Sequence, residues 1–155
     1  MRRAEKEVFG EAIIEIIKKS EICRLAFYDH ALNTPYVVPM NFGFEREEDG
    51  LKLYFHCAKS GRKFDCLRLD NRVCFEMDTE TKLVKAEKAC RFSQKFSSVI
   101  GFGKIFELTG YEEKRRGLAS LMAKYDGANH AFSDEEVDSV AVLVLNIDEI
   151  TGKRN

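Results

Sequence analysis

A mainly β, α+β fold built on a six-stranded antiparallel barrel with peripheral helices is what this sequence predicts, from three observations. Apolar runs of strand length recur at 22–29, 36–45, 51–57, 72–79, 97–108 and 140–147. Most are joined by hairpin-length, turn-rich connections, which pair neighbouring strands antiparallel. Strands of this number in one small unit close most economically into a barrel, because closure removes exposed edges. The 155 residues read most simply as one domain over 1–155. A domain of that size buries roughly 70% of the surface its unfolded chain exposes.

The elements follow in order. Val8, Phe9, Ala12, Ile13, Ile14, Ile16 and Ile17 form an apolar stripe at helical spacing, with Lys18 and Lys19 after it. They predict one amphipathic helix over 5–19. Residues 22–29 form a strand, and Asn33 and Pro35 mark a hairpin loop after it. Residues 36–45 are a second strand, and the polar turn 46–50 ends in Asp49-Gly50. In the third strand Leu51, Leu53 and Phe55 alternate with Lys52, Tyr54 and His56. A short helix over 61–69 stops at Asp70-Asn71, a strand covers 72–79, and a less regular lysine-bearing stretch follows. The strand 97–108 carries Gly101 and Gly103. The helix 112–125 puts Leu118, Leu121, Met122 and Tyr125 on one face, and Asp126-Gly127 stops it. Ser133 with Glu136 three residues on is a capping box. An almost wholly apolar strand, 140–147, comes last.

Charge and composition exclude several classes. Twenty-five basic and 26 acidic residues give a formal net charge of −1. No bulk attraction to nucleic acid or an anionic membrane is expected. No run of about 18 apolar residues predicts a spanning helix. The start, Met1-Arg2-Arg3-Ala4-Glu5-Lys6-Glu7, is charged and lacks an apolar signal core, so a cytoplasmic protein is expected. Cys23, Cys57, Cys66, Cys74 and Cys90 are odd in number and lack C-x-x-C spacing. They suggest small buried hydrophobes, not a disulfide set or a metal site. His30 and His130 fall in loops with no partner at metal spacing, and no Ser-His-Asp constellation is identifiable.

Chemistry concentrates in Leu53-Tyr54-Phe55-His56-Cys57-Ala58-Lys59-Ser60-Gly61-Arg62-Lys63. A strand runs into a glycine turn that opens a short helix. Free N–H groups and the positive end of the helix dipole converge there. Arg62 adds a bidentate fork and Lys63 a mobile point charge. This describes a phosphate cradle without Walker spacing, although the same pair also reads as a solvated basic turn. One strand earlier, Tyr36-Val37-Val38-Pro39-Met40-Asn41-Phe42-Gly43 is interrupted by a proline. Pro39 cannot donate to a ladder, and an interrupted strand leaves backbone groups for a flat heterocycle. Asn41 offers a donor and an acceptor. Gly43 allows another backbone close. An edge-strand proline is the plainer reading of Pro39. Taken together, the two segments fit a phosphorylated planar cofactor such as FMN.

These segments, with Arg72-Val73-Cys74-Phe75-Glu76, Ser97-Ser98-Val99-Ile100-Gly101-Phe102-Gly103 and the tail Asp148-Glu149-Ile150-Thr151-Gly152-Lys153, resemble the FMN-binding split-barrel family of pyridoxamine phosphate oxidase-like proteins. Within it they are most similar to the nitroimidazole-resistance (Nim) branch. The likeness runs through nearly the whole chain in order.

The resemblance implies a homodimer with FMN at the interface. Val38, Pro39, Met40 and Asn41 would line the ring system. His56, Cys57, Ala58, Gly61, Arg62 and Lys63 would lie along the ribityl phosphate, and Ser98 near the flavin. A partner's basic loop around Lys88 and Arg91 would supply the other wall. His56 matches the histidine of the family's Phe-His-x-Ala motif and is the expected catalytic residue, by hydrogen bonding or as an acid near N5; a purely positioning role is the alternative. The oxidase's C-terminal Trp and substrate-binding Arg are not found, since the chain has no Trp and ends Lys153-Arg154-Asn155. Pyridoxamine phosphate oxidation is therefore not expected. The expected activity is FMN-dependent redox chemistry on a small molecule, such as nitro-group reduction with a reduced nicotinamide, NAD(P)H, as donor. A flavin- or haem-binding module without turnover is the alternative.

Overall fold

The computed structural model describes residues 4–48, 50–128 and 130–155. Its elements are a 3-10 turn at Ala4–Lys6, β1 (Glu7–Val8), α1 (Glu11–Lys19), β2 (Cys23–Asp29), β3 (Thr34–Met40), β4 (Gly43–Glu47), β5 (Gly50–Cys57) and α2 (Arg62–Leu69). They continue with β6 (Arg72–Val84), a 3-10 turn at Ala89–Arg91, β7 (Ser93–Glu107), α3 (Tyr111–Tyr125), α4 (Asp134–Ser139) and β8 (Ala141–Arg154). The strands form one antiparallel sheet in the order β3-β2-β6-β7-β8-β5-β4, with β1 paired to β8.

Three expectations change. Among the described residues the sheet has eight strands instead of six, and it ends at β3 and β4 without closing. The run 36–45 is two strands, because the chain changes partner across Asn41 and Phe42. Met40 is the last residue of β3 paired to β2, and Gly43 is the first of β4 paired to β5. The inward set Val38, Met40 and Phe42 alternates with exposed Val37, Pro39 and Asn41, and the alternation breaks only at Gly43, which is buried beside Phe42. The helix expected over 5–19 starts only at Glu11. Gly10 has φ 56, a left-handed conformation that suits glycine and ends the extended β1 segment. The polar turn at 46–50 falls partly on Asp49, which lies outside the described residues.

The core is the inward face of the curled sheet. Cys23, Leu25 and Phe27 of β2, Leu53 and Phe55 of β5, Phe75 and Met77 of β6 and Leu143 and Leu145 of β8 are buried there, in strand alternation. Ile13, Ile16 and Ile17 of α1 join the same cluster. Cys23 and Cys66 are the small buried hydrophobes expected, Cys57 and Cys74 are half-buried, and Cys90 is exposed.

Helix α3 packs outside the sheet, where Leu118 and Leu121 meet Val137 and Val142, while Tyr125 of its expected apolar face is exposed. Gly43 makes that packing possible. A Cβ there would lie 2.6 Å from the backbone of Ser120 and Leu121. At the end of α3, Lys124 Nζ donates to the carbonyls of Ile17 (3.1 Å) and Ser20 (2.6 Å) and sits 3.9 Å from the Phe42 ring centroid. It satisfies carbonyls at the end of α1 that helix geometry leaves open. The capping box forms as expected, with Ser133 Oγ accepting from the Glu136 N–H at 3.3 Å.

The lysine-bearing stretch is a hairpin arm. β6 and β7 stay paired out to Val84 and Ser93, beyond a register shift between Thr79 and Lys82. Leu83, Val84 and Phe92 on the arm are exposed. Glu80 at its root, with φ 57, belongs to a ring of contacts. Ser97 Oγ and Lys19 Nζ donate to Glu80 at 2.9 and 2.8 Å, Arg154 donates to Ser97 and Glu15, and Lys19 pairs with Glu15.

Candidate functional site

Among the described residues β3 pairs only with β2, so its other edge is open. β4 covers β5 only from Gly50 to Tyr54, which leaves Phe55–Cys57 uncovered on that side. These two free edges are where backbone N–H and C=O groups remain available. α2 starts from the end of β5 and reaches across to β3. Arg62, its first residue, lies with its guanidinium carbon 4.5 Å from the centroid of the Tyr36 ring.

Gly61 precedes α2 with φ 118 and ψ 177, a backbone region open to glycine. No described residue lies within 4 Å of where its Cβ would be, so this glycine serves the turn and not a close contact. It offers no capping side chain to the first helical N–H groups. The Phe64 N–H donates to the Gly61 carbonyl at 2.9 Å, whereas the Arg62 and Lys63 N–H groups have no partner among the described residues and, with the dipole, stay available to an anion. The two cations then diverge. Lys63 is half-buried and acts on Cys57, where burial raises the thiol pKa and the Lys63 charge opposes it. Arg62 turns toward β2, and its Nε–H donates to Asp29 Oδ2 at 2.6 Å.

Asp29 and Tyr36, neither of them among the residues expected at the site, are the side chains that hold Arg62. Asp29 continues the inward set Cys23, Leu25, Phe27, and its side chain is 9% exposed. A carboxylate at an inward strand position needs partners, and that alternation was the signal available. The Leu32 N–H donates to Oδ1 at 3.0 Å, and this bond, with Arg62 second, holds the Asp29 carboxyl below its ordinary range.

The expected residues separate by strand parity. Val38, Met40 and Cys57 turn toward the core cluster, whereas Pro39, Asn41 and His56 are exposed. Asn41 meets the side chain of Tyr125. His56 stands opposite Val142 of β8. Ala58 is exposed in the link to α2. From Tyr36 to Asn41 the open edge runs for roughly 17 Å at ~3.3 Å per residue. A ligand with a phosphate at one end and a flat ring at the other would follow this edge from Arg62 to Asn41. Ser98 is not in this cluster. It pairs with Asp78 and Lys153, toward the far end of β8 from His56.

An open groove of 740 Å³ lies on the outer sheet face, lined by Ala26, Tyr28, Pro35, Cys74 and Phe102 among others. Among the described residues, no group of three or more His, Cys, Asp or Glu side chains is placed to hold a metal ion. No described helix is long and apolar enough to cross a membrane.

The family profile described as pyridoxamine 5'-phosphate oxidase matches residues 10–154. No curated protein matches the chain. Among solved structures, the chain is similar to a candidate 5-nitroimidazole antibiotic resistance protein from Bacteroides thetaiotaomicron, with 33% identity and a TM-score of 0.82 over 96% of this chain and 86% of that one. It is also similar to the flavocytochrome Anf3 from Azotobacter vinelandii, with 22% identity and a TM-score of 0.80 over 100% and 72% of the two chains. An FAD and haem binding protein from Mycobacterium smegmatis has 18% identity and a TM-score of 0.81 over 97% and 73%. The last two likenesses concern the fold alone.

Proposed function

The chain belongs to the pyridoxamine 5'-phosphate oxidase family, and from that premise we propose that it is an FMN-dependent oxidoreductase acting on a small molecule. The observation that carries the reading is the junction of Gly61, Arg62 and Tyr36. A glycine turn with open space above it and a stacked guanidinium meet at the open edge of β3. When bound, FMN supplies the redox chemistry itself.

The chain's residues would bind and orient it. The backbone N–H groups of Arg62 and Lys63, the terminal nitrogens of Arg62 and the ammonium of Lys63 suit a phosphate dianion. The edge at Val38–Asn41 suits the polar rim of a flat ring, through backbone groups that no strand pairs. His56 is exposed at the end of β5, and its proposed role is to hydrogen-bond the ligand or hold a proton beside it. The likeness to a candidate 5-nitroimidazole resistance protein supports a nitro compound as the substrate; the reaction proposed on it is nitro-group reduction, with a reduced nicotinamide as donor.

The site is one-sided in a single chain, so the reading includes a homodimer. Ile100 and Phe102 are exposed on the outer sheet face near the 740 Å³ groove. A second protomer would cover such a face and bring its β6–β7 arm, with Lys88 and Arg91, to the open side. Light scattering tests this directly, and a monomer holding stoichiometric flavin contradicts it. Titration with FMN, FAD and riboflavin tests the site. FMN should bind tightest, and equal affinity for riboflavin removes the phosphate argument.

A further inference from the structure

We propose that Asp29 is a positioning residue that sets the phosphate selectivity of the flavin site by fixing the guanidinium of Arg62. The inference rests on the site reading above and adds a residue to it. A guanidinium carries five N–H donors in a rigid fork. Here Asp29 takes the Nε–H at 2.6 Å, and the Tyr36 ring covers one face at 4.5 Å. Among the described residues no other acceptor is bonded to Arg62. Its terminal nitrogens are therefore left as a fixed pair, the arrangement that grips two oxygens of one phosphate.

Asp29 is itself held. Its side chain is 9% exposed, and Oδ1 accepts the Leu32 N–H at 3.0 Å. The loop after β2 thus anchors the carboxylate, the carboxylate anchors Arg62, and Arg62 meets the ligand. Lys63 has no comparable anchor among the described side-chain contacts and acts as a point charge. Two effects of Asp29 oppose each other. Its negative charge repels a phosphate, while its hydrogen bond holds the fork in place. The ion pair with Arg62 and the Leu32 bond offset much of the repulsion, so the positioning effect should dominate.

The test is the ratio of riboflavin to FMN dissociation constants in four proteins: wild type, Asp29→Asn, Arg62→Ala and the double variant. In Asp29→Asn the amide oxygen can still accept from Leu32, but its NH2 group then faces the Arg62 Nε–H, donor against donor. The ratio should fall about tenfold or more, the worth of one charge-assisted bond. In the Arg62→Ala background the same change should leave the ratio where it is. An Asp29→Asn ratio equal to or above wild type overturns the proposal, as does an equal drop in both backgrounds. A wild-type ratio near one overturns the phosphate site itself and this inference with it. Thermal melting verifies folding; if Asp29→Asn does not fold, Asp29→Glu, which displaces the Nε contact, must show the same fall.

Discussion

The Arg62 guanidinium stacks on the Tyr36 ring, 4.5 Å from carbon to centroid, and so ties the first turn of α2 to the strand that ends the sheet. Such a stack is worth about 0.5–1 kcal/mol where solvent reaches it. Its larger consequence is geometric. A cation that the sequence places on a helix is brought to the open edge of a strand distant in the chain.

Lys63→Ala should weaken FMN binding about tenfold or more while leaving the melting temperature nearly unchanged, since Lys63 makes no ion pair among the described residues. Arg62→Ala should weaken binding and also lower stability, because it leaves the Asp29 carboxylate without its cation. Calorimetric titration and thermal melting separate the two effects. A double variant that purifies with full FMN would place the phosphate elsewhere.

His56→Ala should change stability by no more than about 0.5 kcal/mol, as expected of an exposed side chain away from the core. Its effect should appear in the flavin. Loss of FMN means a positioning role. Retained FMN with slower reduction by a nicotinamide, or slower reoxidation by a nitroaromatic, means a role near the ring. Stopped-flow absorbance measures both half-reactions, and unchanged rates with unchanged flavin content make His56 a bystander.

Gly43→Ala should destabilise the chain by about 1–3 kcal/mol. The added carbon would sit 2.6 Å from the α3 backbone, and backbone yields less readily than a side chain. Chemical denaturation gives the value, and a change within experimental error would mean that α3 shifts freely.

Acid should destabilise the fold partly through Asp70. Hydrogen bonds from the Arg72 side chain, then from its backbone N–H, hold the Asp70 carboxyl at about 2. The folded value lies below the ordinary value of ~3.9, so the unfolded chain takes up a proton first. This contribution is complete above about pH 5 and is lost as pH falls through 4 toward 2. Asp70→Asn should remove that part of the acid limb. Parallel melting curves for wild type and variant from pH 6 to pH 2.5 would contradict it.

Much of the architecture was legible in the residues. Alternation in Leu51, Leu53 and Phe55 located β5, and Ser133 with Glu136 located the start of α4. The β3–β4 break was not legible, because the alternation runs on through Met40, Asn41 and Phe42, while the pairing partner changes from β2 to β5 between Met40 and Gly43. Nor was the arm, whose exposed Leu83, Val84 and Phe92 alternate too weakly with lysines to signal a strand. At the site, the turn at Gly61 and the two cations could be read directly. Their divergence could not, because it depends on Asp29 and Tyr36, which only the folded sheet brings to Arg62.

The most direct test of the central claim is the absorption spectrum of the purified protein, followed by mass spectrometry of the ligand it releases. A yellow protein with the two visible bands of a flavin and a released mass equal to FMN is expected. A sharp Soret band, or a colourless chain that takes up no FMN when it is added, would contradict it.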